Sequence, residues 1–503
     1  MRFLRPRSTG GLVLRFFLLA LLVVGSVAAT TAVAGLLQVQ NLVNDISFNR
    51  EIKSDQIKVP AAGAPQTILL IGSDHRAGEP FKKANTDTML LVHLDSASST
   101  INVMSLPRDL KVSIPGFRSD KINAAYADGG PRKSVATIKR LFRNATGEDF
   151  PINNVINVTF GGFRRAVNYV GGVYVDVDRR YYNDNTTALP GQNYATIDVQ
   201  PGYQKLEGQD ALDYVRYRHG DSDFFRGARQ QDFLRQAAAQ DGVRKLLDFG
   251  ARNRLAHIFG RYFEVDKSFL SAGNLIGLMR MGVFLASRHA PVNEVRFPAI
   301  VSPDPTDTYL SYKAADVKKA ADQFMAGAGS ANPKPAAPKS DTAFKRITRK
   351  RTKPSSIAGL EQASSEGVNL AVLADPKLSF PFYFPALRVT GSRYTTDQAR
   401  LYDIVDEQGN RHQAFRLVLY TGDYGEYYGV QGMTWRYPPI LDKPEATRTL
   451  GRRRRMLFYD GSHLRLVAWR TAKAVYWVTN TLDLAIDNRR LLAIAESLKR
   501  LNQ

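Results

Sequence analysis

The sequence predicts a layered α/β domain, a central mixed sheet with helices on both faces, preceded by one membrane-spanning helix and followed by a smaller α+β domain. Three observations predict it: an uncharged stretch near the N-terminus, short apolar runs interleaved with helically periodic ones from Thr67 to Met325, and a break in composition over 327–365, after which all three tryptophans occur.

Met1 to Arg15 holds Arg2, Arg5, Arg7 and Arg15 and no acid, and Phe16 to Leu37 then runs without a charged residue. A bilayer needs about 20 such residues, and basic residues ahead of a span favour a cytoplasmic N-terminus. The expectation is a basic tail (1–15), a single-pass cell-membrane anchor (16–37) and a polar stalk (38–65), with the bulk extracytoplasmic. The alternative is a signal peptide cut near Ala32-Val33-Ala34, although a cleaved apolar region runs only about 7–15 residues.

From Thr67 the pattern alternates. Thr67–Gly72, Thr88–Leu94, Ile101–Leu106, Val155–Phe160 and Val173–Val177 read as strands. Ser134–Phe142, Phe163–Val170, Gly208–Tyr214, Arg229–Ala239, Arg244–Leu255, Leu270–Ser287 and Ala314–Met325 read as helices, closing a catalytic domain over 66–326. Residues 327–365 are rich in Ala, Pro, Ser and Lys and read as a linker. Its basic cluster from Lys345 to Lys353 is either solvated charge or a contact for anionic polymer or lipid headgroups. In 366–503, Phe415–Tyr420, Met456–Tyr459, Leu464–Trp469 and Ala474–Thr479 read as strands of an antiparallel sheet, Ile486–Leu501 as a closing helix, and Phe380, Phe382, Tyr383 and Phe384 as core.

The chain of 503 residues carries a formal charge of +22, which favours anionic partners; export counts against nucleic acid. With no cysteine, a disulfide framework and a thiolate metal site are excluded. P-loop, zincin and nucleophile-elbow patterns are absent, and the seven histidines are scattered.

Seven strings gather the chemistry: ILLIGSD (68–74), NTDTMLLV (85–92), SLPRD (105–109), DKINAAY (120–126), GGVYVDV (171–177), YVRYRHGDSDFFR (214–226) and ARQQ (228–231). Asp74 follows one apolar run and Asp87 precedes the next; if those strands are antiparallel neighbours, the two carboxylates meet at one sheet edge. Two carboxylates, water and phosphate oxygens suit Mg²⁺, while turn capping is the plainer reading of either Asp alone. Arg108 follows a strand, Arg216 and Arg218 share a face if their segment is extended, and Arg226 and Arg229 lie around a helix start. Arginine's planar fork matches a diphosphate; an isolated surface ion pair is the plainer reading of each. Gln230 and Gln231 read as orienting a phosphate, locking an arginine, or simply opening a helix.

The order and spacing of GSDHR, NTDT, PRD, KINAAY, VRYR and FFRGARQQ resemble the LytR–CpsA–Psr family of cell-wall glycopolymer ligases over roughly half of the chain. The resemblance implies an α/β sandwich with an apolar prenyl cleft, in a membrane-anchored, extracytoplasmic enzyme. It implies transfer of a glycopolymer phosphate from an undecaprenyl-diphosphate carrier to the C6 hydroxyl of N-acetylmuramic acid in peptidoglycan. It further implies Mg²⁺ (or Mn²⁺) on Asp74 and Asp87. The diphosphate would be held by Arg108, Arg216, Arg218, Arg226 and Gln230, joined in this chain by Arg229 and Gln231, with Asp109 and Lys121 supporting the site. Where the family often has an arginine two residues before the second aspartate, this chain has Asn85, so that phosphate contact is either missing or supplied by Arg76, Lys82 or Lys83. The rivals are a diphosphatase using the same site and a non-enzymatic, membrane-anchored wall-binding or regulatory protein.

Overall fold

The computed structural model describes residues 47–48, 57, 64–74, 84, 86–186, 195–217, 223–238, 240, 263–266, 292–304, 307–326, 357–442, 444–450, 453–460 and 462–501. The expected anchor, the basic cluster at 345–353 and the helices expected at 244–255 and 270–287 lie outside these residues. Among the described residues no helix is long and apolar enough to cross a membrane. Two compact units form, one from 1–173, 207–212 and 240–333, the other from 174–206, 213–239 and 334–503.

The first unit is built on a mixed sheet. Its strands in chain order are β1 (Ser47–Phe48), β2 (Gln66–Ser73), β3 (Thr86–Asp95), β4 (Thr100–Ser105) and β7 (Asn154–Thr159), with β12 (Phe263–Val265) and β13 (Val292–Glu294). The spatial order is β1-β12-β7-β2-β3-β4-β13. β2 lies at the centre, parallel to β7 and antiparallel to β3. Ile68, Leu69 and Ile71 of this strand are buried and Leu70 is half-buried, as suits a strand covered on both faces. Ser47–Phe48 joins the sheet edge beside β12, and Ile57 enters the core, so parts of the expected stalk belong to the fold.

Helix α1 (Ala124–Thr146) is kinked at Gly129–Gly130, where Gly130 takes φ 63° and Pro131 restarts the helix. Beyond the kink Val135, Ile138, Leu141 and Phe142 form one apolar stripe, which packs with Val317, Ala320, Ala321 and Phe324 of α5 (Ala314–Met325) beside Leu69, Met89 and Met104 of the sheet. The α1 stripe is therefore part of the core. Helix α2 (Phe160–Tyr169) starts where the Thr159 hydroxyl accepts the Gly162 amide.

The second unit carries an antiparallel sheet of β19 (Arg393–Tyr394), β20 (Arg400–Val405), β21 (Arg411–Tyr420), β22 (Tyr427–Met433), β23 (Ala446–Leu450), β24 (Arg453–Asp460), β25 (His463–Arg470) and β26 (Val475–Thr479). Alternate residues serve opposite faces. Phe415, Val467, Trp469, Tyr476 and Val478 pack with Leu370 of α6 (Ser364–Ala374) and Leu491 and Ile494 of α7 (Asn488–Glu496). Ala414, Met433, Leu466, Ala468, Val475 and Trp477 pack with Tyr174 of β8 (Val173–Val177) and Tyr203 of β11 (Gly202–Leu206), which pair as a short ribbon. The same unit holds β9 (Tyr181–Asn183), β10 (Ile197–Val199), the whole of α4 (Asp223–Ala238) and the end of α3 (Gly208–Arg216).

Two expectations shift here. Residues 357–365, read as the end of the linker, hold β16 (Leu360–Gln362) and the start of α6. The closing helix, expected over Ile486–Leu501, spans only Asn488–Glu496, with Asp487 capping the Arg490 amide; β27 (Leu498–Lys499) then pairs with β17 (Phe384–Pro385).

Candidate active site

The antiparallel β2–β3 pair brings residues 74 and 87 to one edge of the first unit's sheet. Gly72 pairs with Thr88 and Ser73 with Thr86, so Asp87 is the extra residue of a β-bulge lying next to the strand end that carries Asp74. The Thr86 hydroxyl donates to the Gly72 carbonyl at 2.9 Å and ties the two ends together. The Asp87 side chain, Asn85, Arg76, Lys82 and Lys83 lie outside the described residues.

Beneath Asp74 is a closed ring of three hydrogen bonds. The Ser73 hydroxyl donates to Asn157 Oδ1 at 2.9 Å, Asn157 Nδ2 to the Tyr126 hydroxyl at 2.8 Å, and the Tyr126 hydroxyl to Ser73 Oγ at 3.1 Å. All three residues are buried. The ring satisfies polar groups that would otherwise be costly to bury and fixes the strand end. It also gives the tyrosine of KINAAY a job that its sequence context did not reveal.

SLPRD and DKINAAY face each other through a hairpin of β5 (Lys111–Ser113) and β6 (Ser119–Lys121). The Ile122 amide donates to the Leu110 carbonyl, and the Asn123 amide to that of Arg108. This register sets the Asp109 carboxylate 2.9 Å from Lys121 Nζ and 3.4 Å from Arg108 Nε. The result is a cation–carboxylate–cation row, each member half-buried.

Tyr309 completes this cluster and carried no signal in the sequence. The Leu310 amide donates to the Asp109 carbonyl, which lays Tyr309 against the hairpin. Lys111 and Lys121 stand 5.2 and 5.6 Å from its ring centre, and its hydroxyl donates to Asp120 Oδ1 at 3.2 Å. Slight burial raises the Asp120 carboxyl, but hydrogen bonds from the Lys121 amide, Arg118 and Tyr309 outweigh it and leave the group below its ordinary value.

The remaining candidates lie in the second unit. Arg216 closes helix α3 instead of sitting in an extended segment; Asp213, three residues earlier, holds its guanidinium at 2.6 Å. Arg218 lies outside the described residues. Arg226 is buried. Arg229 has no exposed surface, donates to the Tyr217 carbonyl and stands over the rings of Tyr181, Tyr214 and Tyr217. Gln230 Nε2 donates to the Val215 carbonyl at 3.0 Å, locking α4 to α3, and Gln231 is half-buried. Among the described residues no group of three or more metal-ligating side chains gathers. A pair of carboxylates that leaves positions for water and phosphate oxygens still fits Mg²⁺.

Residues 35–249 match the LytR_cpsA_psr family. The polyisoprenyl-teichoic acid–peptidoglycan teichoic acid transferase TagT of Bacillus subtilis (strain 168) is 31% identical over 214 residues, covering 42% of this chain and 62% of the relative. The corresponding transferase TagU of Bacillus cereus (strain ATCC 14579) is 33% identical over 193 residues, covering 38% of this chain and 56% of the relative. The chain therefore spans about three-fifths of the length of these curated relatives. A crystal structure of B. subtilis TagT aligns with 56% of this chain and 99% of its own at 24% identity and a TM-score of 0.39, too low to add to the assignment. The matched segment, bearing the strand-end aspartates and the paired SLPRD and DKINAAY motifs, is similar to the LytR_cpsA_psr family.

Proposed function

We propose that the protein is a membrane-anchored phosphotransferase that moves a glycopolymer phosphate from an undecaprenyl-diphosphate carrier onto the C6 hydroxyl of N-acetylmuramic acid in extracytoplasmic peptidoglycan. The observation that carries the reading is the Arg108–Asp109–Lys121 row in a segment that also sets Asp74 and Asp87 at one strand edge. Asp74 and Asp87 would hold Mg²⁺, which when bound supplies positive charge to phosphate oxygens.

The chain's own residues do the rest. Arg108 and Lys121 bind the diphosphate and offset charge on its oxygens as the new bond forms. Asp109 holds both cations in place, which suits a positioning role better than proton abstraction. The sugar hydroxyl oxygen bonds to the phosphorus that bears the glycopolymer, its proton passes to solvent or a phosphate oxygen, and the bridging P–O bond breaks, releasing undecaprenyl phosphate. Residues 16–37 would keep the enzyme on the membrane that holds its lipid-linked donor, raising the donor's effective concentration.

The test is turnover by the full chain in detergent with a short-prenyl diphosphate glycan and a peptidoglycan oligomer. Prenyl phosphate release with glycan attached to the acceptor, abolished by EDTA and restored by Mg²⁺, is expected. Release without acceptor labelling would identify a diphosphatase, and no release from several donors would sink both enzymatic readings. In the same assay Tyr309→Leu, which loses the ring between Lys111 and Lys121, is expected to raise the donor KM about 2- to 5-fold, the size of one or two exposed cation–π contacts. Tyr309→Phe keeps the ring and is expected to stay near wild type.

A further inference from the structure

We infer that the C-terminal sheet is a built-in brace for the helices that carry Arg216, Arg226 and Gln230, with Asp176 as the keystone between them. The inference rests on the proposed diphosphate chemistry only for its functional consequence.

The connection can be followed atom by atom within the second unit. Asp176 of β8 is buried, and its carboxylate is held by two residues of the C-terminal sheet, Arg416 at 3.0 Å and the Trp477 indole N–H at 2.6 Å. Burial pushes the Asp176 carboxyl up, against the pull of Arg416 and Trp477. On the other side the Asp176 amide donates to Gln236 Oε1 at 2.8 Å, and Gln236 Nε2 donates to Asp232 Oδ2 at 2.6 Å. Gln236 and Asp232 belong to α4, which also carries Arg226, Arg229 and Gln230. Arg235 of α4 reaches back to Asp460 of β24 at 2.7 Å.

Independent contacts run in parallel. Tyr174 and Tyr203 fill the second face of the C-terminal sheet, with Trp435 5.1 Å from the Tyr174 ring and Trp477 5.7 Å from that of Tyr203. The Tyr402 hydroxyl donates to the Tyr203 carbonyl and Arg400 to that of Pro201. Gly425, at φ 79°, presses on the ring of Phe225, the neighbour of Arg226, so closely that any Cβ there would collide. A chain ending at 326 would bare Tyr174, Asp176 and Tyr203, so the sheet is a structural part of the unit that carries α4.

The test is hydrogen exchange on the full chain, with geranylgeranyl diphosphate binding as the second readout, in Arg416→Met and in the milder Trp477→Phe. Trp477→Phe removes a single donor to Asp176 and keeps an aromatic ring in place. Exchange across 223–238 is expected to speed up about tenfold, with 314–325 of the first unit unchanged, and prenyl diphosphate affinity to fall about fivefold or more. Faster exchange confined to 411–433 and 475–479, with 223–238 still protected, would overturn the brace. Faster exchange in 223–238 with unchanged affinity would overturn its role in binding. If Arg416→Met loses protection throughout the unit, Trp477→Phe decides. Should the wild-type chain not bind prenyl diphosphate, the proposed function fails, while the exchange pattern still judges the brace.

Discussion

Arg416→Met is expected to destabilise the second unit by about 3–5 kcal/mol at neutral pH, the range seen when one partner of a buried ion pair is removed. Methionine fills much of the space that the arginine stem occupies, so little of this loss is cavity. The loss comes from Asp176, which sits buried 3.0 Å from the Arg416 guanidinium and, among the described residues, keeps the Trp477 N–H as its hydrogen-bond donor when that cation is gone. The size should depend on pH, with a definite sign. Burial already raises the Asp176 carboxyl, and removing Arg416 takes away the strongest pull in the other direction. A carboxyl whose folded pKa lies above its unfolded value binds its proton more tightly in the folded state, so stability falls as pH rises from the unfolded pKa through the folded one. The variant's deficit should therefore be largest above the folded pKa and shrink as the pH is lowered towards the unfolded carboxylate value of about 3.9. Denaturant unfolding at acid and at slightly alkaline pH measures it. Arg416→Met/Asp176→Asn should recover much of the loss, because asparagine keeps an acceptor for Trp477 and carries no charge. A deficit that is flat with pH and not rescued by the second change would mean that packing, not charge, is what Arg416 supplies.

How far these features were legible follows from what each residue does. The alternation of apolar runs and helical stripes between 67 and 325 marked strands such as β2, β7 and β8 closely, because buried strands and amphipathic helices announce themselves through their periods. The hairpin of β5 and β6 was missed although Leu110, Val112 and Ile114 are buried while Lys111 and Ser113 are not; its strands are only three residues long, too short for a periodic signal. The C-terminal sheet lacked clean alternation because it is buried on both faces, so polar and apolar residues do not take turns. Within the site, Asp74, Arg108, Asp109 and Lys121 were visible as residue types in suggestive places. That Asp109 joins Arg108 to Lys121 depends on a pairing register that no local pattern specifies. Arg229 read as one more phosphate-facing cation; its setting among Tyr181, Tyr214 and Tyr217 is a product of tertiary packing, as is the approach of Tyr309 from nearly 190 residues downstream of Asp120.

Arg108→Ala is expected to lower turnover in the proposed transfer reaction by about 10²–10³-fold, the cost of removing one preorganised donor from charge that develops in a transition state. The estimate rests on geometry. Arg108 is fixed at both ends, its carbonyl taking the Asn123 amide and its guanidinium lying 3.4 Å from Asp109, so it needs little reorganisation when the diphosphate changes charge. If its contact strengthens only as the bridging bond breaks, kcat should carry most of the loss and the donor KM should change little; a contact made equally in the ground state would raise KM instead. Arg108→Lys separates charge from shape, since an ammonium keeps the charge but cannot make a two-pronged contact. It should recover part of kcat and fall short of the arginine. Folding should be nearly untouched, because the side chain is only half-buried, and a thermal melt of the variant checks that. Turnover within tenfold of wild type in Arg108→Ala would remove Arg108 from the reaction and leave Lys121, the other cation on Asp109, as the first unit's phosphate-binding group still to be tested.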